Sequence, residues 1–188
     1  MVLWPYTVIV VIGGGLVIKK IFPFILFLIF LGFLARGLQL NPKEMPSALI
    51  GKTISSRSFK VYQQDGLKTF SNWQGQVFII HFWATWCDSC QQDVIELEKL
   101  QQMHLAKVLG VNYKDKLANL KSWQKLHPQL FDNIILDREG RLGMDLGVVA
   151  TPETFIVDSK GVIRYRYQGP LSDELIQKQI LPLLRQLN

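Results

Sequence analysis

The chain predicts an α/β sandwich, with central strands, helices on both faces and an antiparallel hairpin near the end. Three observations carry this. The apolar run Val77 to Trp83 has the length and the boundaries of a buried strand. Segments of helical spacing alternate with short apolar strands after it, as far as Gly147. Asp158-Ser159-Lys160-Gly161 then joins two β-type runs as a hairpin turn.

Taken in order, the chain starts with two apolar stretches. Ile21 to Ala35 is apolar throughout, and extension to Leu40 gives a helix of about 30 Å, the depth of a bilayer core. Lys19 and Lys20 precede it, which favours a cytoplasmic N-terminus and an outward-facing C-terminal domain. No strong small-residue cleavage site follows, so residues 19–40 read as an uncleaved anchor helix. Residues 1–18 are a second apolar stretch containing Gly13-Gly14-Gly15. They form either one arm of a short membrane hairpin or an extension upstream of a start near Val17. Residues 41–48, with Asn41-Pro42 and Met45-Pro46, read as a linker, and 49–188 as one domain.

Within that domain, Phe59 to Tyr62 is β-type, Gln64-Asp65-Gly66 marks a turn and Asn72 to Gln76 marks another. The buried strand 77–83 follows, then a helix from Gln91 to His104. Lys107 to Asn112 is a strand, and Leu117, Leu120, Trp123 and Leu126 give helical spacing that stops before Pro128. Asn133 to Leu136 is a brief strand, and a short helix ends near Gly147. Glu153 to Val157 and Val162 to Tyr167 are the hairpin strands, and Ser172-Asp173-Glu174 caps a last helix running to Leu187.

The charge balance is mild: 21 basic against 15 acidic residues, net +6. Lys19, Lys20 and Arg36 account for half of that excess, and the other cations are scattered without an aromatic-interleaved stripe. Nucleic acid is therefore not an expected partner.

The chemistry is concentrated in Cys87-Asp88-Ser89-Cys90, which holds the chain's 2 cysteines. A strand leads in and a helix leads out, so the free N–H groups and the positive dipole end of the helix face the thiols and stabilise a thiolate. This is the pattern of a redox dithiol. Zinc would need further ligands; His104 and His127 are too far apart in sequence, and no metal or cofactor is expected. A purely structural bridge is a poor alternative, because so small a loop loses little chain entropy on closure. Cys87, at the strand exit, is the expected nucleophile, and Cys90, one turn into the helix and more buried, the resolving thiol.

Four further residues have a chemical and a plain reading. Asp88 either disfavours the thiolate, making the couple more reducing, or points to water. Asp93 shares a helix face with both cysteines; it either takes the Cys90 proton or is a surface carboxylate favourable to the dipole. His81 either relays protons or is a satisfied core residue. Pro152 opens a strand, and nothing local demands a cis bond there. Trp83 and Trp86 read as packing and as a lip around the thiols.

These residues resemble the thioredoxin superfamily, and more narrowly the DsbE/CcmG family. The resemblance rests on Ser47-Ala48-Leu49-Ile50-Gly51-Lys52, Phe82-Trp83-Ala84-Thr85-Trp86-Cys87 and Gly110-Val111-Asn112-Tyr113-Lys114-Asp115. It continues through Leu142 to Val148, Thr151-Pro152-Glu153-Thr154-Phe155 and Val162 to Tyr167, all in the family's order. It implies a thioredoxin fold, a central mixed β-sheet flanked by helices, with an N-terminal transmembrane anchor. It implies a cis Pro152 facing Cys87, Glu153 as an acid in the site, Asp93 at the position of the family's acidic residue three beyond the second cysteine, either acid being a candidate proton acceptor, and Trp86 and Thr151 as candidate substrate contacts.

The implied activity is that of a membrane-anchored periplasmic reductant of apocytochrome c heme-site disulfides, acting directly or through a partner dithiol protein of cytochrome c maturation. A DsbD-type or CcdA-type membrane electron donor would supply it, at the inner membrane. The sequence departs from the family in having Asp88-Ser89 without proline, Asp93 in place of Glu, and His81 where Asn is common. Two alternatives stand beside this reading: a general reductase of the TlpA/ResA type with other extracytoplasmic clients, and a non-catalytic apocytochrome-binding module.

Overall fold

The computed structural model describes Gly14–Leu38 and residues 48–188. The chain divides into two compact units, Met1–Pro42 and Lys43–Asn188. In the first, α1 (Gly14–Leu38) carries Pro23 inside it. It begins before the expected boundary at residue 19, within the apolar extension. The start of that extension and nearly all of the linker 41–48 lie outside the described residues. Among the described residues, no helix is long and apolar enough to cross a membrane.

The second unit is the predicted α/β sandwich. Its strands are β1 (Phe59–Val61), β2 (Leu67–Lys68), β3 (Phe78–Trp83), β4 (Lys107–Tyr113), β5 (Asn133–Asp137), β6 (Glu153–Val157) and β7 (Ile163–Gln168). They form one sheet in the order β2-β1-β5-β4-β3-β6-β7. The centre, β3, β4 and β5, is parallel; β1 and β6 join it antiparallel, and β7 pairs antiparallel with β6. β3 is buried along its whole length, which is why it reads as a continuous apolar run and not as an alternating one.

Strand alternation splits the core into two clusters. One face holds Ile79, Trp83, Val108, Ile134 and Ile156, packed with Leu97 and Leu100 of α2 (Asp93–Gln102), Leu120 and Trp123 of α3 (Leu117–Leu126), and the C-terminal helices. The other holds Phe78, Ile80, Phe82, Val111, Ile135 and Phe155, covered by Phe59, Phe70, Trp73 and Leu142 of α4 (Arg141–Asp145). Both cysteines belong to the first cluster.

Two local differences from the sequence expectations have physical causes. The predicted single last helix is three pieces: α5 (Asp173–Leu175), a π-helical turn Ile176–Ile180 and α6 (Leu181–Leu187). Pro182 lacks the N–H that would bond Lys178 and its ring crowds that carbonyl, so the ladder widens just before it. Ser172 caps the start as expected, accepting from Leu175 N–H at 3.2 Å. The hairpin turn also forms, with the Asp158 carboxylate accepting from Lys160 N–H and Val162 N–H at 2.9 Å each.

Candidate active site

The site is assembled where β3 ends. Beyond Trp83 the chain turns through Ala84 to Trp86 into a 3-10 turn, Asp88–Gln92, which continues as α2. Cys87 is the N-cap of this turn, and its Sγ accepts from Cys90 N–H at 3.2 Å. Ser89 Oγ lies 3.4 Å from the same sulfur. A thiolate on Cys87 would thus meet one backbone donor, one hydroxyl and the open end of a helix. In the structure the two cysteines form a disulfide with Cα atoms 5.3 Å apart.

The expected contrast in access does not appear in this oxidised form: Cys87 is 6% exposed and Cys90 5%. The covering groups are aromatic. Trp83 is buried against Trp123, with ring centroids 4.0 Å apart, and against Phe131 at 5.4 Å. Trp86, next to Cys87 in the chain, is 55% exposed. Asp88 is also exposed, so water screens its charge from the thiols.

The loop carrying Trp86 and Cys87 is fastened from below by a carboxylate that sequence reasoning did not single out. Asp115 accepts from Thr85 N–H (2.7 Å), Thr85 Oγ1 (2.9 Å), Asn112 Nδ2 (2.9 Å) and Lys116 N–H (2.7 Å). The Trp86 indole donates to the Lys114 carbonyl at 3.2 Å. The segment Asn112 to Asp115 at the end of β4 thus sets the approach to Cys87. Its Asn-Tyr-Lys-Asp pattern was the available signal.

Thr151-Pro152 is a cis peptide bond, as the resemblance implied. It opens β6, whose first residue Glu153 pairs in register with Phe82 near the end of β3. The cis proline and the cysteines therefore share one end of the sheet. Thr151 Oγ1 is buried there without a hydrogen-bond partner.

The two acids near the site are placed on opposite faces of the sheet. Glu153 follows the alternation of Phe155 and Val157, away from the cysteines, and binds the Arg166 guanidinium. It is fully buried, and desolvation pushes its carboxyl above the usual range against the pull of Arg166. Arg166 also donates to the Gly147 carbonyl at 2.6 Å, bracing the loop before Thr151. Asp93, by contrast, lies on the cysteine face with Cys90, Leu97 and Leu100.

Asp93 is fully buried, so it is no surface carboxylate. Its Oδ1 accepts from Leu171 N–H at 2.6 Å, and its Oδ2 lies 3.3 Å from His81 Nε2. His81 is equally buried and its Nδ1 is 3.0 Å from Thr154 Oγ1. The sequence marked both residues but not their pairing, because β3 and α2 meet only in the tertiary fold. Among the described residues, no group of three or more His, Cys, Asp or Glu side chains could hold a metal ion.

Comparison with known proteins agrees with this architecture. The redoxin family pattern matches residues 48–181. The thiol:disulfide interchange protein DsbE of Pseudomonas aeruginosa is 38% identical over 168 residues, 88% of this chain and 92% of that protein. DsbE of Pasteurella multocida is 36% identical over 177 residues, 90% and 96% of the two chains. A secreted thiol-disulfide isomerase from Corynebacterium glutamicum superposes with a TM-score of 0.63 at 17% identity, covering 78% of this chain and 96% of that one, a likeness of fold.

Proposed function

The chain belongs to the redoxin family and, within it, to the DsbE thiol:disulfide interchange proteins; from that premise we propose that it reduces the heme-site disulfides of apocytochrome c, directly or through a partner dithiol protein. That it is a thiol-disulfide oxidoreductase follows from its relatives and from the Cys87–Cys90 pair. The observation that carries the proposal is this pair at the N-terminus of a helix, at the sheet end that also bears the cis Thr151-Pro152.

The reaction proceeds in two exchanges. In the reduced protein the Cys87 thiolate attacks one sulfur of the client disulfide, and the other client sulfur leaves as a thiolate that takes up a proton. Cys90 then loses its proton to Asp93 and attacks Cys87, which releases the second client thiol. The client gains two electrons and two protons, and the protein is left as the disulfide. Asp93 is preferred to Glu153 as the acceptor because it lies on the cysteine face, one turn beyond Cys90. Trp86, exposed beside Cys87 in the chain, and Thr151, before the cis proline, are the proposed client contacts.

The proposal includes residues 19–40 as an inner-membrane anchor with the catalytic domain in the periplasm. Its support is the apolar run from Ile21 behind Lys19 and Lys20. A DsbD-type or CcdA-type membrane protein would return the disulfide to the dithiol.

The test is a trap. Cys90→Ala is expressed in its native membrane and quenched with acid, and the proteins disulfide-linked to Cys87 are identified. Apocytochrome c, or a dithiol protein of its maturation, is the expected capture. A broad set of unrelated clients would replace this reading by that of a general reductase.

A further inference from the structure

We propose that His81 and Asp93 act as one acid–base unit through which the proton of Cys90 leaves and returns. This deepens the exchange mechanism above and rests on it. Asp93 touches the thiol's helix turn, while His81 acts through Asp93 and is a positioning residue.

The two side chains face each other in the core. Asp93 lies three residues beyond Cys90, on the buried stripe that continues through Leu97 and Leu100. Its Oδ2 faces His81 Nε2 at 3.3 Å, and both side chains are completely buried. The far imidazole nitrogen sits 3.0 Å from Thr154 Oγ1, on the residue opposite His81 in β6. A carboxylate this deep is costly unless it has donors or a proton; Leu171 N–H donates to its Oδ1, while its Oδ2 and the facing His81 Nε2 make no hydrogen bond. The imidazole offers a second place for an arriving proton. The Thr154 hydroxyl suits either state, because it can donate to a bare Nδ1 or accept from a protonated one.

The step conserves atoms and charge. Before resolution Cys90 carries its proton, and Asp93 Oδ2 and His81 Nε2 face each other at 3.3 Å without a hydrogen bond, leaving room for a proton between them. When Cys90 attacks Cys87, the S–H bond breaks, the electron pair stays on Cys90 sulfur to form the new S–S bond, and the proton passes to the pair. On reduction by the donor the movement reverses, and the departing Cys90 thiolate is protonated.

Among the described residues, three tyrosines also pack on this face: Tyr62, Tyr165, whose hydroxyl donates to Gln179, and Tyr167, opposite Thr154 on β7. On β4, the residue opposite His81 is Gly110, over which the Phe131 ring lies, and Phe131 stacks on His81 with centroids 6.3 Å apart. From α3, His127 is screened from His81 by the Trp123 and Phe131 rings. On α2, Glu96 is taken by Lys99. Asp88 is exposed, and Glu153 points to the opposite cluster. The carboxylate that faces His81 is therefore Asp93.

The experiment is a single turnover of the reduced full-length chain with one equivalent of dithiobis-nitrobenzoate. The first chromophoric thiol released reports attack by Cys87, and the second reports resolution by Cys90. Both are followed from about pH 5 to about pH 9 in wild type, His81→Asn, Asp93→Asn, the double variant, Thr154→Val and Thr154→Ser. The second release is expected to slow by roughly tenfold or more at neutral pH in His81→Asn and in Asp93→Asn, with the first unchanged. The double variant should be no slower than Asp93→Asn alone. Thr154→Val should shift the pH profile of the second phase, and Thr154→Ser should restore it.

An unaltered second-phase profile in His81→Asn and Thr154→Val, or effects of His81→Asn and Asp93→Asn that multiply, would overturn the proposal. Should His81→Asn not fold, the Thr154 pair decides. Absence of any first release in wild type would instead strike the exchange reading itself.

Discussion

At the scale of single residues, two carboxylates illustrate how burial is made tolerable in different ways. Asp115 is buried and collects four donors, two of them from Thr85 beside the active-site turn. Asp115→Ala leaves those donors without acceptors, so urea unfolding should show a loss of about 2–4 kcal/mol. The loosened Thr85 and Trp86 should also slow client reduction. Glu153 shows the opposite balance. Desolvation is the larger influence and raises its carboxyl in the fold, with Arg166 opposing. A carboxyl raised in the fold favours folding while it is protonated, and that contribution is lost as pH rises through its folded value. Glu153→Gln removes this titration. The stability of the variant relative to wild type should therefore become more favourable as pH rises through and above the ordinary glutamate range. Parallel denaturation curves across that window would check it.

At the scale of elements, β4 is shaped by a ring from the loop before β5. A Cβ on Gly110 would lie 2.7 Å from Phe131 ring atoms, so only glycine lets Phe131 lie flat over the strand against His81 and Trp83. Gly110→Ala should destabilise by about 1–3 kcal/mol in chemical denaturation, with a smaller penalty in a Phe131→Leu background. The elements themselves were largely legible from sequence, because β3 to β6 are apolar runs bounded by turns and α3 has clear spacing. What was illegible is instructive. β2 is two residues long and carries no period, and the π-helical turn depends on a proline that looks harmless in a first helical turn. The burial of Asp93 was available in the spacing of Asp93, Leu97 and Leu100, but a carboxylate in a first turn also satisfies the dipole, so the spacing alone does not decide. Its partner His81 could not be assigned from sequence, since only the packing of β3 against α2 joins them.

At the scale of the whole molecule, the chain keeps its chemistry within one unit. Both buried clusters, the disulfide, the cis proline and the His81–Asp93 pair lie within Lys43–Asn188. In the other unit, the side chains from Ile21 to Gly37 are exposed. Such a row of apolar side chains is costly in water and needs an apolar surrounding, which the proposed anchor would find in lipid. A fragment covering 43–188 should therefore unfold in one cooperative transition. Its midpoint should match that of the full chain's catalytic unit, and it should release both chromophoric thiols at unchanged rates. The full chain should sediment with membranes and resist alkaline carbonate extraction, while the fragment should remain in the supernatant. Should the full chain be extracted by carbonate, the anchor would be excluded and the thiol chemistry left standing, since the two properties reside in different parts of the sequence.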